Sequence, residues 1–139
     1  MAESPGPLVG IVVVSHSATI AEGVVELAAQ MAGPDVRLLA AGGAIDGSLG
    51  TDAGRIAEAI ARADAGAGVV VLADLGSAVL SAKLALDMID PEVAARTRLS
   101  GGPLVEGAVV AAVQASAGDD LSAVLEAAEE AAHMPKDVT

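Results

Sequence analysis

The chain has 139 residues, of which 53% are hydrophobic, yet it contains no Phe, Tyr, Trp or Cys, so a single domain-sized core must be built from Ala, Val, Leu, Ile and Met. That composition excludes aromatic stacking platforms for bases, flavins or nicotinamides, and it excludes disulfides, thiol nucleophiles and thiolate metal sites. The net charge of −12 opposes binding to nucleic acid or to an anionic membrane surface, and otherwise reads as solubility.

The apolar run from Leu8 to Val14 is too short for a signal-peptide core or a membrane span, and a soluble cytoplasmic protein is expected. Its β-branched, uninterrupted character predicts a strand buried on both faces. Ser15-His16-Ser17 ends that strand. Ile20, Val24, Leu27 and Met31 are spaced for one face of a helix. Thr19 and Glu22 suit a capping box and Ser17 is a rival cap, with Gly33-Pro34 as the stop.

A second strand is predicted over 36–40, leading into the glycine-rich stretch 41–50. Thr51-Asp52 can cap a helix carrying Ile56 and Ile60, ending near Gly66. Gly68 to Ala73 is a third, fully apolar strand, broken by Asp74-Leu75-Gly76-Ser77. Val79, Leu80, Leu84 and Met88 then form a helical stripe. Asp90-Pro91 reads as a cap with proline at the first helical position. A weak fourth strand is expected over 97–100, and Gly101-Gly102-Pro103 introduces a helix to about Ser116. Asp119 and Asp120 open a last helix with Leu121, Val124, Leu125 and Ala128 inward. No repeat or linker divides the chain. One domain over 8–133 is expected, with flexible ends over 1–7 and 134–139.

Strands alternating with helices predict an α/β fold, a doubly wound sheet of about four mainly parallel strands with helices on both faces. Ligands bind such sheets beyond the carboxyl ends of the strands. The segments placed there are 15–17, 41–51, 74–77 and 100–107, and they hold most of the unusual residues. His16 is the only histidine on them, because His133 falls at the end of the last helix. Asp74 ends the third strand at the same edge. A carboxylate on one ring nitrogen fixes the tautomer and leaves the other nitrogen as a nucleophile; alternatively, Asp74 simply caps the helix behind it.

Gly76 and Ser77 open that helix, whose free N–H groups favour an anion, and Ser15 and Ser17 are further candidate donors to a phosphoryl group. These loops contain no lysine or arginine. The stretch 42–50 has neither a Gly-Lys-Ser/Thr ending nor Gly-x-Gly-x-x-Gly spacing, so it is no nucleotide loop. Gly50 and Thr51, with Leu75 and Leu104, are candidate rim residues, the two leucines being equally readable as core. Two distant histidines and no cysteine argue against a metal.

Val13-Val14-Ser15-His16-Ser17, Gly50-Thr51-Asp52, Asp74-Leu75-Gly76-Ser77-Ala78 and Pro103-Leu104-Val105-Glu106-Gly107 together resemble the phosphotransferase subunits of dihydroxyacetone kinase. Those subunits are related in fold to mannose-type enzyme IIA domains, and the resemblance runs from about residue 8 to 133. It implies a relay from phosphoenolpyruvate through enzyme I and HPr to His16, with Asp74 orienting the ring. From there the group passes to ADP held on the kinase's nucleotide-binding subunit, so that the chain itself binds no cofactor. It also implies a homodimer, and in some members HPr-like and enzyme I-like domains that follow this one. Two other readings remain open: a mannose-type sugar-transport component with a different acceptor, and a regulatory module whose phosphorylation reports the state of the relay.

Overall fold

The computed structural model describes residues 6–138. Four strands, β1 (Gly10–Ser15), β2 (Leu38–Gly42), β3 (Val69–Ala73) and β4 (Thr97–Leu99), form one sheet in the order β2-β1-β3-β4. Every pairing is parallel, with Val13 beside Ala40 in one register and beside Leu72 in the other. The helices are α1 (Ala18–Ala32), α2 (Ala53–Ala63), α3 (Gly76–Leu86), α4 (Pro91–Ala95), α5 (Leu104–Ser116) and α6 (Leu121–Glu130), followed by a 3₁₀ turn at Ala131–His133.

The apolar strands are buried on both sides because helices cover both faces. Ile11, Val13, Val70 and Leu72 meet Ala21, Val24, Ala108, Ala111, Val124 and Ala128 of α1, α5 and α6. Val12, Val14, Val69 and Val71 meet Ile56, Ile60, Ala78 and Ala82 of α2 and α3. The expected doubly wound α/β fold is therefore the observed one.

Two helices turn a different face inward from the expected one. Ile20, Leu27 and Met31 of α1 are exposed, and of the expected stripe Val24 alone is buried, beside Ala21 and Ala28. Likewise Leu80, Leu84 and Met88 are exposed, while Ala78, Ala82 and Ala85 of α3 pack on the sheet. Both the large and the small residues recur at helical spacing. The small face wins because alanine lets the helix axis approach the strands and leaves little side-chain entropy to lose.

Strand β2 lies about two residues later than expected. Arg37 O already accepts from Ile11 N–H at 2.9 Å, and pairing continues to Ser15 beside Gly42. Gly42 is required there, since a Cβ would stand 2.6 Å from Ser17 O. Ser17 takes the cap of α1, its Oγ accepting from Ile20 N–H at 3.2 Å, which leaves Thr19 inside the first turn. Asp52 and Asp120 cap α2 and α6 through Arg55 and Ala123 N–H. Of the expected flexible ends, 1–5 and 139 lie outside the described residues. Residues 134–138 are exposed, with Lys136 3.0 Å from Glu106. No helix among the described residues is long and apolar enough to cross a membrane.

Candidate active site

From β1 the chain crosses to β2 on one side, then passes back to β3 on the other. The helices that follow β1 and β3 therefore leave on opposite faces, and a crevice opens between the carboxyl ends of these two strands. His16 stands at the end of β1 and Asp74 at the end of β3, and the pairing of Val14 with Ala73 brings them side by side.

The Asp74 carboxylate is held by four donors. Oδ2 accepts from Ser15 Oγ–H at 2.8 Å and from His16 N–H at 3.0 Å. Oδ1 lies 2.9 Å from His16 Nδ1 and accepts from Leu75 N–H at 2.8 Å. Burial acts to raise the pKa of this carboxyl, but the hydrogen bonds from His16, Ser15 and Leu75 act against it and leave it below the ordinary aspartate value. An ionised carboxylate can only accept, so His16 carries its proton on Nδ1. In the neutral ring Nε2 then presents a lone pair, 2.6 Å from Ser77 Oγ, to which the serine hydroxyl can donate.

The positive ends of two helices flank this ring. Helix α1 begins at Ala18, two residues after His16, and α3 begins at Gly76, two residues after Asp74. Leu75, at the cap of α3, supplies no side-chain hydrogen bond, so the N–H groups of Gly76 and Ser77 have no partner within the helix. Among the described residues, no lysine or arginine forms an ion pair or hydrogen bond with His16, Asp74 or Ser77.

The glycine-rich segment is an ordered wall of the crevice. Gly43 N–H donates to Ser15 O at 3.1 Å and Gly50 N–H to His16 O at 2.9 Å. Gly50 has φ 146°, a backbone conformation that a side chain would strain. Thr51 Oγ1 meets Ser81 Oγ at 2.6 Å. Ser81 escapes a sequence reading as one more hydroxyl on a helix, although its place four residues after Ser77 puts the two on one face.

The expected site residues divide accordingly. His16, Asp74, Gly76 and Ser77 come together, with Gly50 and Thr51 on the wall behind them. Ser15 is fully buried and its proton is committed to Asp74, so it supports the carboxylate and is not a donor to an incoming group. Ser17 N–H donates to Ser15 Oγ at 3.1 Å while its own hydroxyl caps α1, leaving its proton available. Leu75 is 63% exposed beside Asp74. Leu104 is half-buried against the core on the α1–α5–α6 side, and so is an edge of the core instead of an open rim. His133 faces Ser122, Leu125, Glu126, Glu129 and Glu130 and shares none of the His16 contacts. No metal-binding cluster of three or more side chains exists among the described residues.

The fold and this crevice define a doubly wound domain centred on one carboxylate-backed histidine. The sequence profile of the PTS system fructose IIA component family, EIIA-man, matches residues 10–125, and the chain belongs to that family. Within it, the chain is similar to the phosphoryl donor subunits of phosphoenolpyruvate-dependent dihydroxyacetone kinases, DhaM. It is 41% identical to a DhaM of Listeria innocua, covering 86% of this chain and 95% of the relative. It is 45% identical to the DhaM of Klebsiella michiganensis and 44% identical to that of Escherichia coli, but spans only 26% of the length of each. A crystal structure described as unknown function protein EF1359 aligns with TM-score 0.78 and 39% identity, covering 88% of this chain and 93% of that one. A sigma-54 interaction domain protein from Enterococcus faecalis, 17% identical with TM-score 0.67 over 91% of this chain and 90% of that one, shares the fold.

Proposed function

We propose that this chain is a cytoplasmic phosphohistidine carrier, a phosphoenolpyruvate–glycerone phosphotransferase component that takes a phosphoryl group from phospho-HPr onto His16 Nε2 and delivers it to ADP on the nucleotide-binding subunit of dihydroxyacetone kinase. The observation that carries the reading is the Asp74–Nδ1 contact of 2.9 Å, which leaves Nε2 as the only unprotonated ring nitrogen. In the first transfer Nε2 bonds to phosphorus as the donor's N–P bond breaks and its electron pair returns to the donor ring. In the second, a terminal oxygen of ADP bonds to phosphorus and the pair returns to Nε2.

Because Nδ1 keeps its proton, the phosphorylated ring is an imidazolium and leaves as neutral imidazole, which favours onward transfer. Asp74 offsets the ring charge. The N–H groups of Gly76 and Ser77, the Ser77 hydroxyl and the Ser17 proton are the candidate donors to the phosphoryl oxygens. These donors are neutral, which suits a group that must be held and then released. Exposed Leu75 and the wall at Gly50 and Thr51 flank the docking side.

A homodimer fits the same reading, with the outer face of α3 as its seam. Leu80 and Leu84, with Met88 just beyond the helix, are each about six-tenths exposed, and among the described residues α3 is the one helix longer than eight residues with no Asp or Glu. The one charged side chain within α3 is Lys83, so two chains of net charge −12 meet less like-charge repulsion there than at the acidic helices, whereas a basic partner would be better served by the acidic α1 or α6.

Relay reconstitution tests the function. With enzyme I, HPr and labelled phosphoenolpyruvate, label should reach this chain on a histidine. It should discharge when the ADP-loaded kinase subunit is added. Label that stays on the protein in the presence of that subunit, but discharges to a sugar-transport component, would favour the mannose-type alternative.

A further inference from the structure

Ser77 and Ser81 lie one turn apart on the same face of α3, and each reaches His16 by a different route. Ser77 Oγ meets the ring at Nε2, 2.6 Å away. Ser81 Oγ meets Thr51 Oγ1, also 2.6 Å away and half-buried. The residue before Thr51 is Gly50, whose N–H donates to the main-chain carbonyl of His16 at 2.9 Å. One helix face therefore grips His16 at both ends, the ring directly and the backbone through the wall of the crevice.

The two grips differ in what phosphorylation does to them. A phosphoryl group on Nε2 uses the lone pair that accepts from Ser77, so that hydrogen bond is lost at the moment the group arrives. The Ser81–Thr51 contact involves no reacting atom and persists. We propose that Ser81 and Thr51 are positioning residues, a hydroxyl latch that keeps the first turn of α3 in register with His16 while Ser77 exchanges the ring nitrogen for a phosphoryl oxygen. The inference rests on the phosphohistidine reading of His16. Without the latch, the Gly76 and Ser77 N–H groups would meet the phosphoryl oxygens less often, and transfer would slow although no donor had been removed.

The test compares wild type with Ser81→Ala, Thr51→Val, the double variant and Ser81→Thr. Three quantities are read: phosphoryl uptake from phospho-HPr, half-life of the bound label in buffer, and hydrogen exchange of the Gly50 amide in the unphosphorylated protein. Ser81→Ala and Thr51→Val should each slow uptake and shorten the half-life by about fivefold, the scale of one neutral hydrogen bond. The double variant should be no worse than either single one, because both remove the same contact. Ser81→Thr keeps the hydroxyl and should behave as wild type. Gly50 exchange should quicken in the alanine and valine variants and stay slow in Ser81→Thr.

Wild-type uptake, label half-life and Gly50 exchange in Ser81→Ala would overturn the proposal. So would additive losses in the double variant, which would mean two unrelated structural roles. If wild type takes no label at all, it is the carrier reading that fails. Gly50 exchange then still decides the latch, unchanged exchange in the variants sinking it. Should Ser81→Ala fail to fold, Thr51→Val carries the comparison against Thr51→Ser.

Discussion

Ser77 Oγ stands 2.6 Å from His16 Nε2, so the nucleophilic lone pair of the resting site is occupied by a serine proton. Before an electrophile can be taken up, that hydroxyl must rotate away from the ring nitrogen. It then becomes a donor to whatever binds there. Replacing it separates the two effects. In Ser77→Ala the lone pair is uncovered, but the bound group loses a donor, and the phosphorylated protein should lose its label to water about two- to tenfold faster than wild type. Ser77 is exposed at the start of α3, so stability should change by less than about 0.5 kcal/mol. A label as long-lived in Ser77→Ala as in wild type would remove Ser77 from the site.

His16→Ala should fold as wild type and accept no phosphoryl group. The side chain is about a quarter exposed, and Asp74 keeps its other three donors without the ring, so thermal unfolding is expected to move little. The check is acid-labile, base-stable labelling after incubation with phospho-HPr. Label on the variant, or its appearance at His133, would show that the carrier nitrogen lies elsewhere.

Much of this site is legible in the sequence. A buried parallel strand needs an uninterrupted apolar run, and Gly10–Ser15 and Val69–Ala73 both have one, so their ends and hence His16 and Asp74 could be placed at one edge. The roles of the serines could not be placed. Ser15 and Ser17 look alike in sequence, yet the pairing of Val14 with Ala73 sets Ser15 beside Asp74 and leaves Ser17 to cap α1. The inward faces of α1 and α3 are hidden for a related reason. When alanines and leucines share the same helical period, periodicity alone does not say which stripe is inward; the closeness of helix to sheet decides it, and that distance is a tertiary property. Ser81 was invisible because its partner, Thr51, is 30 residues away in sequence.

Asp74→Asn tests the tautomer. The carboxylate receives backbone N–H groups on both oxygens, from His16 on Oδ2 and Leu75 on Oδ1. An amide can satisfy only one of them, so the substitution should cost about 1–3 kcal/mol of stability. The effect on transfer should be much larger. With an NH₂ facing Nδ1, the ring is driven to carry its proton on Nε2, and uptake should fall by about 10²-fold or more. The tautomer is read independently from the ¹⁵N resonances of the His16 ring. If Asp74→Asn keeps Nδ1–H and transfers at the wild-type rate, Asp74 is structural only.

Acid titration follows from the same carboxylate. Its pKa is lowered in the folded protein, so it contributes stability that is complete above the unfolded value of about 3.9 and is lost as the pH falls through the folded value. Stability measured by urea titration should therefore show an acid-side decline that Asp74→Asn flattens. Asp64 contributes in the same direction through its hydrogen bonds to Arg96, so part of the decline will survive that substitution. An acid limb identical in wild type and Asp74→Asn would mean that the four donors do not hold the carboxylate ionised.

The last prediction concerns the acceptor. The crevice has no lysine or arginine in contact with His16, Asp74 or Ser77 among the described residues, and the chain has no Phe, Tyr or Trp to stack on adenine. Neutral donors at one helix start cannot hold the three charges of ADP against a net charge of −12. The isolated protein should accordingly give no measurable heat when titrated with ADP or ATP at millimolar concentration. Phosphorylated protein should discharge slowly to free ADP and fast to the ADP-loaded kinase subunit, because the nucleotide must be brought into line with Nε2 by docking of its carrier. Leu75, 63% exposed beside Asp74, is placed to be covered in that complex, and Leu75→Glu should slow discharge to the subunit while leaving the label's lifetime in buffer unchanged. Tight binding of free nucleotide, or equal discharge rates to free and subunit-held ADP, would make the chain a nucleotide-using kinase in its own right and end the carrier reading.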